Sequence, residues 1–296
     1  GALTNPGAFS STGSAGEFEN TTATWNEVGT ITVVASVGDG DYLGVGDVIS
    51  TTPISIGRFY PAYFALQSSS VVNSCSSGGF SYFSDSNITV SYELSAKNRA
   101  GTTVINFDNT DLSYPAATLI HHGENNNAGI NFYSRITVNS ALWDDGDLLL
   151  VDTGANLSRA VDGSFNIVPD GPYTNMLFAL EISDIDSVNF NTLDFKADDA
   201  ADCVVNGNCN SRQLSGSLNL RFGRLTLSDV HGPESSAIPM VWQTDFWNGS
   251  EFVLNIDDNC TQLPLSDISF VGATSSVDAV NDAVSVDVGG AVSIFD

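Results

Sequence analysis

Apolar and polar residues alternate along most of this chain. Ile31, Val33, Ala35 and Val37 alternate with Thr32, Val34 and Ser36. Ile88, Val90, Tyr92 and Leu94 alternate with Thr89, Ser91 and Glu93. The same parity recurs at Phe252, Leu254 and Ile256 and at Val284, Val286 and Val288. A period of two puts one set of side chains on one face of a pleated strand, so each run predicts a half-buried β-strand. No stretch of ten or more residues combines a 3.6 period with capping residues. Ser, Thr, Gly and Asn fill the gaps, which is turn chemistry. The pattern predicts an all-β protein: immunoglobulin-like β-sandwich modules, antiparallel sheets, long loops and little helix.

Three glycine positions sharpen this. Asn248-Gly249 between two apolar runs predicts a hairpin with a type I′ turn, whose central residues both need positive φ. Gly289-Gly290 predicts a second hairpin. Along Ser217–Ser228, Leu218, Leu220 and Phe222 share one parity and Leu225 and Leu227 the other, so a bulge or bend is expected at Gly223. The expected organisation is an N-terminal arm and partial β unit over 1–57, a sandwich over 58–202 and a C-terminal β domain over 203–296.

The chain has 296 residues, enough for two or three modules, and 42% of them are hydrophobic, enough for a packed core. Only 15% are charged, so Ser, Thr, Asn and Gly must supply much of the polar surface. Nine Lys and Arg face 35 Asp and Glu, a net charge of −26. Such a surface repels phosphate backbones and anionic lipid, which argues against a nucleic-acid partner. No apolar run approaches the ~20 residues of a membrane-spanning helix, so no membrane insertion is expected within this segment. No signal peptide opens the chain, and it reads as a mature or excised piece of something longer. Four cysteines without a CxxC fit disulfides in an oxidising compartment better than a zinc site, since only three histidines are present to help.

Several phrases carry a family resemblance. Arg221-Phe222-Gly223-Arg224-Leu225-Thr226-Leu227-Ser228-Asp229-Val230-His231-Gly232-Pro233-Glu234 is the most recognisable. Trp247-Asn248-Gly249 followed by Asn255-Ile256-Asp257-Asp258-Asn259-Cys260-Thr261 is the next. Gly57-Arg58-Phe59-Tyr60-Pro61, Pro169-Asp170-Gly171-Pro172-Tyr173, and Glu27-Val28-Gly29 with Tyr42-Leu43-Gly44 also fit. Together they resemble the carboxyl-end region of MshQ-like proteins of the mannose-sensitive haemagglutinin type IV pilus. The resemblance runs from about residue 25 to residue 261. It implies an extracellular protein of a bacterial cell surface or pilus, acting in adhesion or pilus assembly, with pilus subunits or surface glycans as partners and no catalysis. It also implies that cysteines near Cys75 and Cys260 are partners. Cys203 and Cys209 enclose a short Gly-containing loop and would then bridge locally.

The candidate chemistry is thin. Trp143-Asp144-Asp145-Gly146-Asp147 packs three carboxylates into four positions, and Asp184-Ile185-Asp186 places two more close together. Asp39-Gly40-Asp41 and Asp198-Asp199 are similar but weaker. Calcium takes six to eight oxygen ligands, so Asp144, Asp145, Asp147, Asp184 and Asp186 are the candidate calcium ligands. Trp143, beside the acidic loop, is the one tryptophan singled out for contact with a ligand. His121-His122-Gly123-Glu124 is not a zincin motif and reads as an exposed loop. A G-x-S-x-G elbow is absent, because Asp162-Gly163-Ser164-Phe165 lacks the second glycine. Three readings compete: an adhesion or pilus-tip protein, a spacer or assembly factor docking pilin subunits, and a secreted carbohydrate-active enzyme. A wet pocket lined by Trp or Tyr with Asp and Asn would favour the first, a contiguous apolar or edge-strand surface the second, and two carboxylates facing each other across a cleft the third.

Overall fold

A computed structural model describes residues 3–37, 42–46, 48–50, 52–109, 116–233, 238–263, 283–286 and 291–295. The chain forms β1 (Gly29–Val33), β2 (Ile54–Phe59), β3 (Tyr63–Val72), β4 (Ser81–Tyr82) and β5 (Ile88–Lys97). It continues through β6 (Thr118–Glu124), β7 (Asp147–Leu157), β8 (Tyr173–Ser183), β9 (Leu218–Arg221) and β10 (Gly223–Leu227). The last strands are β11 (Ile238–Trp247), β12 (Phe252–Leu254), β13 (Ala283–Val286) and β14 (Ala291–Phe295). The α-helix at Cys203–Asn206 is one turn long. The protein is all-β and sandwich-like, as the alternation required.

Three sheets organise it. In the first, β7, β5 and β3 lie side by side, with Ile136–Thr137 along the far edge of β7. The second runs β4, β9, β8, β6. The third runs β10, β11, β14, β13, with β12 also paired to β11. The first two close on one core. From β5, Ile88, Val90, Tyr92 and Leu94 point inward, the parity the sequence assigned them, and from β8 come Met176, Phe178 and Leu180. Phe64, Phe107 and Trp143 form an aromatic cluster at one end, with ring centroids 5.0–5.4 Å apart.

The sheets are antiparallel, one short pair excepted: β4 runs parallel to β9, with Ser81 opposite Leu220. Parallel neighbours need a long crossover, and the whole of β5 to β8 supplies it. The expected boundary at 203 cuts through the central unit, because β9 lies between β4 and β8, and Leu214, Leu218, Leu220 and Phe222 are buried in the common core. The boundary at 57 falls inside β2, and Val28 already belongs to that core. His121 to Glu124 lie on β6, not in an exposed loop; Glu124 is buried and accepts the backbone N–H groups of Asn127 and Gly129.

At Gly223 the expected bend is a change of sheet. β9 pairs with β8, whereas β10 pairs with β11, which is why the apolar parity inverts there. A Cβ on Gly223 would lie 2.4 Å from two ring carbons of Tyr82, so only glycine fits. The Asn248-Gly249 hairpin joins β11 to β12, but its register is one residue later than a type I′ Asn-Gly turn requires. Asn248 N–H donates to Glu251 O at 3.0 Å, so Gly249 (φ +105°) and Ser250 are the central pair. The Asn248 side chain stays outside the turn and accepts from the N–H groups of Ser250 and Glu251. Gly289-Gly290 and Asp39-Gly40-Asp41 lie outside the described residues.

Candidate ligand-binding cleft

An open cleft of about 790 Å³ lies where β4, the Gly223 crossing and the turn after β12 meet. Tyr82, Asp85, Asn87, Arg159, Arg224 and Asp258 line it. They come from four separate segments, and the fold fixes them with bonds that span the chain. Tyr82 Oη donates to Asp258 Oδ2 at 2.9 Å and accepts from Asn255 Nδ2 at 2.5 Å. Burial, more than any neighbouring charge, pushes the Tyr82 phenol up to about 12, so it remains a donor at any ordinary pH. Asp258 also accepts from Cys260 N, Thr261 N and Thr261 Oγ1, at 3.1, 2.9 and 2.6 Å. Burial works to raise the Asp258 carboxyl, but the bonds from Thr261 and Cys260 prevail and hold it below the usual carboxylate range.

The Cys75–Cys260 disulfide closes one wall and ties the segment after β12 to the turn before β4. Cys203 and Cys209 are bonded to each other, and no cysteine is free. Two arginines at the cleft, Arg224 in its lining and Arg221 beside it, stack on aromatic faces. Arg221 sits 4.6 Å from the ring centroids of both Phe80 and Phe246, with Asn255 and Asp257 accepting its N–H groups. Arg224 lies 4.0 Å over Phe252 and donates to Asp245 at 3.1 Å. Stacking fixes the plane of each guanidinium, so its donors point in set directions.

The residues singled out as ligands behave differently. Trp143 is not available to a ligand: it is 1% exposed, its indole N–H donates to Ala117 O at 3.0 Å, and Phe64 and Phe107 enclose it. A large aromatic with a satisfied polar edge is core. Asp144 and Asp147 close a tight turn through reciprocal backbone bonds of 2.8 and 2.9 Å. Asp144 and Asp145 meet Asp108, one oxygen of each lying within 4.8 Å of the others, and among the described residues these three are close enough to share a metal ion. Asp147 is not among them. Asp108 lies 36 residues before Asp144 in the chain, and no local spacing announces it.

Asp184 and Asp186 both hold partners within the chain. Asp186 receives Arg58 Nε at 2.8 Å. Asp184 Oδ2 caps its own turn, accepting from the N–H groups of Asp186 and Val188 at 2.9 and 3.2 Å. Burial raises the Asp184 carboxyl above the ordinary range despite those two bonds. Tyr82 and Arg159 stand alone in the chain, with no local motif to mark them. The phrases around Arg221 and Asp258 are recognisable in the sequence, and the structure brings them together at the cleft.

Fold and site define a sandwich-like, disulfide-stapled β protein with an open cleft beside its longer-range staple. The chain belongs to the DUF6701 family: residues 27–210 match the family model for DUF6701, third domain, and residues 221–293 that for DUF6701, fourth domain. The join between the two matches therefore falls after 210, and the cleft draws residues from both. No curated protein and no solved structure matches the chain. The assignment is consistent with the resemblance to MshQ-like carboxyl-end regions. Two disulfides point to an oxidising compartment outside the cytoplasm.

Proposed function

We propose that this chain is a non-catalytic adhesion protein of a bacterial cell surface or type IV pilus, and that it holds a glycan in the cleft beside the Cys75–Cys260 staple. The observation that carries this reading is the lining of that cleft. The half-buried ring of Tyr82 stands there among Asp85, Asn87, Arg159 and Asp258, with Phe80 and Phe83 buried behind it as core. An aromatic ring for the apolar side of a sugar, with an amide and carboxylates for its hydroxyls, is the chemistry carbohydrate recognition needs. The rigidity of the site supports it, since Tyr82, Asn255, Asp258 and Thr261 are already bonded into one network.

A glycosidase reading finds less support. Its general acid must hold a proton near neutral pH, whereas Asp258 is stabilised in its ionised form. A glycan array probed with the whole chain tests the proposal. A restricted set of oligosaccharides should be retained by the native protein and lost with Tyr82→Ala. Retention of none, or equal retention by that variant with its fold intact, would refute it.

A further inference from the structure

Cations are scarce in this molecule, and most of its arginines are already matched. Arg58, Arg135, Arg212, Arg221 and Arg224 each meet a carboxylate. Arg159 meets none among the described residues. Its Nη2 donates to the backbone oxygen of Gly223 at 2.8 Å, and its guanidinium carbon lies 4.5 Å from the centroid of Phe222. Its backbone N–H donates to Ser84 Oγ at 3.2 Å. The head group is therefore held at the cleft wall by a carbonyl and a ring, neither of which neutralises it. A guanidinium has five N–H donors in a planar fork, and the Gly223 carbonyl takes one direction only.

The carboxylates that share the cleft are engaged elsewhere. Asp258 accepts from Tyr82, Cys260 and Thr261, and Asp85 accepts from Asn87 Nδ2 at 2.8 Å. Asp245, behind Arg224, accepts from Arg224, Thr226 and Gln243. With no carboxylate partner among the described residues, an arginine set in this cleft has its fork open to an external anion. The net charge of −26 opposes this only weakly at short range, because physiological salt screens charges beyond roughly 8 Å.

We infer that the cleft takes an acidic glycan, one carrying a uronate or sialate carboxylate, with Arg159 as the counter-ion of that carboxylate. This rests on the glycan-binding reading above. Recognition forms and breaks no covalent bond; it exchanges hydration of two charges for a forked, charge-assisted pair.

The test is an array of sialylated and uronate-terminated oligosaccharides beside their carboxyl methyl esters, which keep every hydroxyl and lose the charge. The acids should be retained and the esters weakened by about tenfold or more, the size of one charge-assisted pair. Arg159→Gln should bring the acids down to the level of the esters, and Arg159→Lys should keep part of the preference. Acids and esters retained equally by the native protein would overturn this inference and leave glycan binding standing. No retention of either would overturn both. Should Arg159→Gln lower the melting temperature, the comparison of acid with ester on the native protein decides alone.

Discussion

His121 shows how far a residue's chemistry depends on where the fold sets it. Two adjacent histidines before Gly-Glu read as a surface loop, yet β6 turns His121 toward the core, where it shares a 3.0 Å hydrogen bond with Tyr92. Burial is the main reason its pKa falls to about 4; His122 lowers it further, and Asp152 pulls the other way. In the unfolded chain a histidine titrates near 6.5, so on acidification the unfolded state takes the proton first. Stability that is whole above pH 6.5 is therefore lost as the pH falls toward 4. At pH 5 the loss should be roughly 2 kcal/mol, at ~1.36 kcal/mol for each unit by which proton affinity differs. Urea unfolding at pH 7 and pH 5 measures it. His121→Gln, which keeps a polar partner for Tyr92 but cannot titrate, should remove most of the difference, and an unchanged difference would place its source elsewhere.

At the scale of elements, strands that cover a core on one face were legible and strands defined by their partners were not. β5 shows its alternation directly because Ile88, Val90, Tyr92 and Leu94 all turn to one core. β4 is two residues long and parallel to a strand over a hundred positions away, so no local period could mark it. The inverted parity at Gly223 was visible, but as a bend; that the strand leaves one sheet for another depends on which neighbours wait on either side. The candidate site followed the same rule. The phrases around Arg221 and Asp258 were visible as phrases, whereas Tyr82, Arg159 and Asp108 acquire their roles only from distant contacts. Gly223 gives this scale its prediction. Gly223→Ala drives a methyl into the Tyr82 ring at 2.4 Å, and overpacking of this kind costs about 1–3 kcal/mol. Denaturant unfolding should show that loss, and the fluorescence of Tyr82 should change with it. A neutral substitution would mean that the sheet crossing is not as tight as described.

For the whole molecule, the two staples differ in reach. Cys203 and Cys209 are six positions apart, and Cys75 and Cys260 are 185 apart. Loop closure in the unfolded chain gives about 2 kcal/mol for the first and about 5 kcal/mol for the second. Replacing Cys75 and Cys260 by serine should lower the unfolding free energy more than the corresponding change at Cys203 and Cys209, and chemical denaturation of both variants checks the order. Only the longer staple lines the cleft, so only its loss should weaken glycan retention. The central claim is that this body holds a sugar and leaves it intact. Native mass spectrometry of the protein with an array-selected glycan tests that most directly. The expected result is a one-to-one complex whose ligand has the same mass after prolonged incubation; absence of a complex, or the appearance of shortened sugars, would contradict the account.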